Sequence, residues 1–252
     1  MIRGFYAAAS GLFSQQRSMN VISNNITNST TAGYKGQETQ ESTFGDHLVS
    51  RLSSLEGVTD PNIGPGSYMT VNSSEYTDYT QGSMESTGRN VDMAINGEGF
   101  FLVDTDTYGP VLTRNGQFAI DSDGELSLPG VGKVLNSGES SIALDSSDFS
   151  VSTSGAITVS GEEVDTLYVV KPSEGATMKS VGSGVYQCDS YEETDTANYA
   201  VYQGRIEQSN VNLAQEMSRL ISGQNHYNSC AQLLKIYDNI NSLTVNQIGK
   251  LG

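Results

Sequence analysis

Apolar residues recur every seven positions at the start of the chain. Phe5, Leu12, Met19 and Ile26 form one stripe of an amphipathic helix. Ala9, Gln16 and Ser23 lie between them as a weaker second seam. The pattern then runs into "NNITNSTTAGYKG", residues 24–36. Asn, Ser and Thr side chains compete for backbone hydrogen bonds, so they suit caps and turns better than helix interiors. Gly33 can take the positive φ that a helix stop or chain reversal requires. The spacing predicts a helix that ends here.

The other end of the chain is helical too. Leu213, Met217, Leu220, Gln224, Tyr227, Ala231, Leu234, Asp238, Asn241, Val245 and Ile248 follow alternating four- and three-residue steps. A second stripe, Leu233, Ile236, Ile240 and Leu243, drifts around the surface as an α-helical face does. Continuous from Leu213 to Gln247, the helix would be about 50 Å long, too long to serve one small core. Ser209-Asn210 is the expected N-cap, and Gly249 and Gly252 are the expected stops.

The middle carries the punctuation of β-structure. "VDMAINGEGFFLVD" sets Asn96-Gly97 between two apolar runs, a two-residue hairpin signal. "VLTRNGQFAIDSDGELSL" repeats the device at Asn115-Gly116 and again at Asp123-Gly124. In "FSVSTSGAITVSGEEVDTLYVV" short apolar runs alternate with turns at Gly155 and Gly161. Strands so punctuated predict a mostly antiparallel β domain over residues 83–188. The expected fold class is α+β: long N- and C-terminal coiled-coil-forming helices flanking that domain. The expected segments are 1–36 (helix and Asn/Thr-rich motif), 37–82 (extended connection), 83–188 (β domain), 189–208 (connection) and 209–252 (helix).

Composition narrows the function. The formal net charge of −16 disfavours nucleic acid, which needs clustered Lys and Arg, and equally disfavours anionic membrane surfaces. No run of about 18 apolar residues offers a membrane span, so no membrane insertion is expected. The start, "MIRGFYAAASGLFSQQ", lacks the apolar core of a cleavable signal peptide. The two cysteines, Cys188 and Cys230, make no disulfide framework and read as incidental thiols.

Candidate chemistry is sparse. "DSDGE", residues 121–125, has too few oxygen ligands for a calcium loop and reads as a hairpin turn. His226 has no second His four residues away, and His47 sits in a polar connection. No nucleophile elbow, P-loop or dinucleotide fingerprint occurs; Gly97 and Gly99 are expected to belong to a hairpin. We therefore expect no catalytic residue, no metal and no cofactor. The seams carry the function instead. An apolar stripe of this kind also fits a helical hairpin buried within one chain. Against that, the stripes sit at opposite ends, and Gln16, Gln224, Asp238 and Asn241 interrupt them with polar groups that specify register and partner. Terminal helices made for packing between chains fit better.

The start "MIRGFYAAASGLFSQQRSMNVISNNITNSTTAGYKG" resembles the N-terminal signature of the bacterial flagellar axial proteins, specifically the rod and hook–basal body group. It carries an A-x-S-G-L helix, then V-I-x-N-N-I-x-N, then T-x-G-[FY]-K. "QGSMESTGRNVDMAINGEGFFLV" and "LTRNGQFAIDSDGEL" are similar to the family's central β segment, and "GRIEQSNVNLAQEMSRLI" to its C-terminal helix start. The resemblance implies a rod subunit that polymerises helically through its terminal helices and transmits torque from motor to hook. It implies an assembly interface at Phe5, Leu12, Met19, Ile26, Asn24, Asn25, Leu213, Met217, Leu220, Tyr227 and Leu234. It implies as partners the chain itself, other rod and hook proteins, and the flagellar type III export apparatus, which would carry it uncleaved to the basal body outside the cytoplasmic membrane. The competing readings are a secreted β-rich binding module or adhesin on a helical stalk, and a cell-wall hydrolase.

Overall fold

The computed structural model describes residues 2–43, 47–50, 62–66, 70–144, 148–182 and 184–248. The chain separates into two compact units. One comprises residues 1–26, 37–78 and 212–252; the other comprises 27–36 and 79–211.

The first unit is built on two helices, α1 (Ile2–Thr27) and α2 (Leu213–Ile248). Strand β1 (Gln37–Thr43) follows, and β2 (His47–Ser50) pairs antiparallel with β3 (Asn62–Gly66). β4 (Thr70–Thr77) returns antiparallel along β1, with a register break between Gln40 and Glu41. Of the described residues in the segment expected to be an extended connection, most lie in ladders. α2 starts at Leu213, as expected, but with another cap. Asn212, rather than Ser209-Asn210, accepts hydrogen bonds from the Ala214 and Gln215 amides at 3.1 and 3.2 Å. Gly249 and Gly252, the expected stops, lie outside the described residues.

The second unit holds β5 (Met84–Ser86), β6 (Met93–Gly97), β7 (Phe100–Thr105), β8 (Gly109–Thr113), β9 (Ala119–Ile120), β10 (Leu126–Leu128) and β11 (Gly132–Val134). It continues with β12 (Phe149–Val151), β13 (Ala156–Val159), β14 (Glu162–Thr166), β15 (Val169–Pro172), β16 (Met178–Gly182) and β17 (Val185–Cys188). β18 (Tyr191–Glu193), β19 (Tyr199–Gln203) and β20 (Arg205–Glu207) occupy the stretch expected to be a connection. Every ladder is antiparallel, so the class is α+β.

β7 is the hub of the main sheet. One edge pairs with β8; the other is shared by β11 at Val103–Asp104 and β15 at Phe100–Phe101. Its residues alternate between two apolar clusters, Phe101 and Val103 in one, Phe100 and Leu102 in the other. A strand covered on both faces reads as an unbroken apolar run, as "FFLV" does.

Two expected hairpins do not form. β6 pairs with β19 instead of β7, and β8 pairs with β7 and β17 instead of β9. At Asn96-Gly97 the chain turns from one sheet to another, and at Asn115-Gly116 it passes from β8 to the far edge of the same sheet, where β9 pairs with β10. A Cβ at Gly116 would lie 1.6 Å from the Met93 carbonyl oxygen, so glycine there serves a backbone crossing. The turns at Asp123-Gly124, Gly155 and Gly161 do join paired strands.

Candidate assembly interface

Two helices can lie close where one presents no Cβ. A Cβ built at Gly4 would meet the Tyr237 hydroxyl at 2.0 Å, and one at Gly11 would meet the Cys230 sulfur at 3.5 Å. One at Gly223 would meet the Gln15 amide nitrogen at 2.9 Å and Met19 Cγ at 3.3 Å. Asn25 Nδ2 donates to Glu216 Oε2 at 3.3 Å. Each advance along α1 is matched by an equal retreat along α2, so the helices run antiparallel inside one unit.

The covered positions on α2 are Glu216, Leu220, Gly223, Tyr227, Cys230, Leu234 and Tyr237, in four- and three-residue steps. On α1 the matching line is Gly4, Ala8, Gly11, Gln15, Ser18, Ile22 and Asn25, with Ser14 and Val21 buried beside it. The expected seams have this period but another phase. Leu220, Tyr227 and Leu234 are half-buried on the shared line, while Leu213 and Met217 are exposed. On α1, Leu12, Met19 and Ile26 are half-buried at the flank, Phe5 and Asn24 are exposed, and Asn25 is buried. Small residues bring the helices together; most large apolar ones stay outside. Phe13 is 69% exposed, and Leu233, Ile236, Ile240 and Leu243 form an uncovered row on α2, with Ile236 at 52%. Such a row is more than a lone surface hydrophobe needs.

Polar groups fix the far end of the helix pair. The Asn25 side-chain amide donates to the Gln37 carbonyl at 2.8 Å and accepts from the Gln37 amide at 2.9 Å, as a strand partner would. Arg219 bridges Glu216 at 3.0 Å and Glu38 at 3.1 Å. Glu38 also accepts from the Tyr76 hydroxyl. The Tyr76 bond and then Arg219 hold the Glu38 carboxyl below its usual range, and Glu38 holds the Arg219 guanidinium above its own. Beside this cluster lies a polar cavity of about 340 Å³, lined by Gln15, Ser18, Glu38, Arg219, Gly223 and His226 among others.

The second unit contains a site that no sequence pattern announced. Glu207, fully buried, binds Lys35 Nζ at 2.6 Å and Arg114 Nη1 at 3.2 Å. Lys35 also donates to the Thr80 carbonyl at 2.7 Å, and Arg114 to the carbonyls of Ile95 and Gly97 at 3.2 and 2.6 Å. Burial pulls the Arg114 guanidinium down, with Glu207 opposing. Gly33, at φ +67°, presses so close that a Cβ would lie 2.2 Å from the Arg114 carbonyl carbon. The three charges are far apart along the chain and each looks like a surface residue alone. The available signal was context: Lys35 follows Ala-Gly-Tyr, and Arg114 follows Val-Leu-Thr, inside a chain with only 13 Lys and Arg.

Among the described residues no group of His, Cys, Asp and Glu could hold a metal, and no helix is long and apolar enough to cross a membrane. Cys188 and Cys230 are both free thiols.

Three family descriptions match, in order along the chain. Residues 5–35 match "Flagella basal body rod protein", 94–159 "Flagellar hook protein FlgE/F/G D1 domain", and 202–248 "Flagellar basal body rod FlgEFG protein C-terminal". The flagellar basal-body rod protein FlgG of Buchnera aphidicola subsp. Acyrthosiphon pisum is 31% identical over 90% of this chain and 92% of its own length. The chain belongs to the flagellar basal-body rod protein family. FlgG of Bacillus subtilis is 29% identical over 98% of this chain and 99% of its own, and FlgF of Rhizobium meliloti 29% over 100% and 95%. The rod-family segments map onto the geometry above. The first covers α1 through Lys35, the second includes Arg114, and the third covers Glu207 and α2, so the buried triad takes one residue from each.

Proposed function

We propose that this chain is a subunit of the flagellar rod that polymerises helically through the outward apolar faces of α1 and α2 and transmits torque from motor to hook. It is a structural basal-body component and not an enzyme, in keeping with its rod-protein relatives. The observation that carries the polymerisation reading is the uncovered row Leu233, Ile236, Ile240 and Leu243. Burying such side chains between subunits contributes about 1.5–3 kcal/mol each, and copies winding their helices together as a coiled-coil core would cover them. Phe5, Leu213 and Met217, exposed in the single chain, belong to the same proposed surface. Leu12, Met19, Ile26, Leu220, Tyr227 and Leu234 flank it, and Asn24 and Asn25 mark its end.

The partners are further copies of this chain and neighbouring rod and hook proteins. Export through the flagellar type III apparatus, without cleavage, brings it to the basal body. Electron microscopy of purified basal bodies with an antibody to this chain tests the assignment. Label along the rod is the expected result; label confined to the filament, or absent from the basal body, would refute it.

A further inference from the structure

Residues 27–36 are covalently placed between α1 and β1, yet they belong with the β unit. Ala32, Gly33, Tyr34 and Lys35 are all buried there. They join no strand ladder, and none of residues 27–36 is a member of either apolar cluster. Their polar anchors are specific instead. The Gly33 amide donates to the Glu207 carbonyl at 2.8 Å, the Lys35 amide to the Tyr186 hydroxyl at 3.2 Å, and the Gly36 amide to Asn210 Oδ1 at 2.8 Å.

The two main apolar clusters therefore close without this segment, which is held by the burial of Ala32 and Tyr34 together with an acid–base slot. If it lifts away, Glu207 keeps Arg114 and the Gly82 amide, at 3.2 and 2.9 Å, so the slot stays paired while open. What is lost is the ammonium ion between Glu207 and the Thr80 carbonyl. The open slot would be selective: it offers a carboxylate and a carbonyl to a primary ammonium, beside a backbone approach at Arg114 that admits only glycine.

We propose that residues 27–36 are a latch, opening and closing as a unit over the Glu207–Arg114 slot while the main sheet stays folded. Anything that holds the N-terminal segment extended also holds the slot open. The inference stands independently of the rod reading.

Amide exchange on the intact full-length monomer, resolved by mass spectrometry, tests it. Residues 27–36 and the Glu207–Asn210 stretch are expected to exchange together, at least tenfold faster than β7 and β10–β11. Lys35→Met should raise exchange in the first group a further tenfold or more, with β7 and β10–β11 remaining the slower group. Equal rates in the two groups of the wild-type chain would make the segment part of one cooperative core and overturn the latch. An unchanged latch rate in Lys35→Met would also overturn it. Should Lys35→Met not fold, the wild-type comparison decides alone.

Discussion

Glu207 sits between two cations with no water-exposed surface, and that position ranks the substitutions around it. Glu207→Gln leaves Lys35 and Arg114 facing each other, so it should destabilise the β unit by about 3–5 kcal/mol, as removal of one partner of a buried pair does. Lys35→Met leaves Glu207 its Arg114 partner and should cost less, on the order of 2–3 kcal/mol. Urea denaturation followed by circular dichroism measures both, and the reverse order would contradict the pairing. Little of this was legible beforehand. The Lys of "TAGYK" could be read as part of a resemblance, but nothing local says that a lysine will be buried. Its partner Glu207 lies 172 positions away, and Arg114, the other cation on Glu207, 79; only the fold brings the three together. At Glu38 the charge balance is exposed and pH-dependent. Its carboxyl is held below the ordinary range, first by Tyr76 and then by Arg219, so its contribution is present above its unfolded pKa. That contribution is lost as pH falls through the lowered folded value. Exchange at residues 37–41 should therefore rise on acidification in the wild-type chain and much less in Glu38→Gln.

The helices show what periodicity can and cannot tell. Alternating four- and three-residue steps located both elements and three shared seam positions, Leu220, Tyr227 and Leu234. The phase was legible only to a reader willing to let glycine outrank phenylalanine. Gly4 and Gly223 favour the contacting line because a larger residue there would press on Tyr237 or Gln15, and Phe5 and Phe13 are turned outward. The hairpin readings failed for a related reason: Asn-Gly specifies a turn, while strand pairing depends on distant partners such as β19. Position 223 tests the seam. In Gly223→Ala the flexible Gln15 side chain can give way, and Ala favours the helix over Gly by about 1 kcal/mol, so stability should hold or rise. Gly223→Leu should instead push the helices apart and raise amide exchange across residues 15–22. Equal behaviour of the two variants would show that the helices do not touch there.

For the whole molecule, intramolecular pairing of α1 and α2 and assembly between chains use different faces of the same helices. A substitution at Leu220 perturbs both, because that residue is half-buried in the single chain. Ile236 separates them, being 52% exposed and outside the covered line. Surface substitutions of this kind change stability by about 0.5 kcal/mol or less, whereas a charge buried in a subunit interface without a partner costs several kcal/mol. The most direct measurement is therefore the yield of rods in basal bodies isolated from cells whose only copy of this chain carries Ile236→Asp, with the melting transition of the purified variant recorded alongside. An unchanged melting transition with rods absent and motility lost is the predicted result. Normal rods in the variant would mean that the uncovered row on α2 is not an assembly surface, and the proposed mode of polymerisation would be wrong.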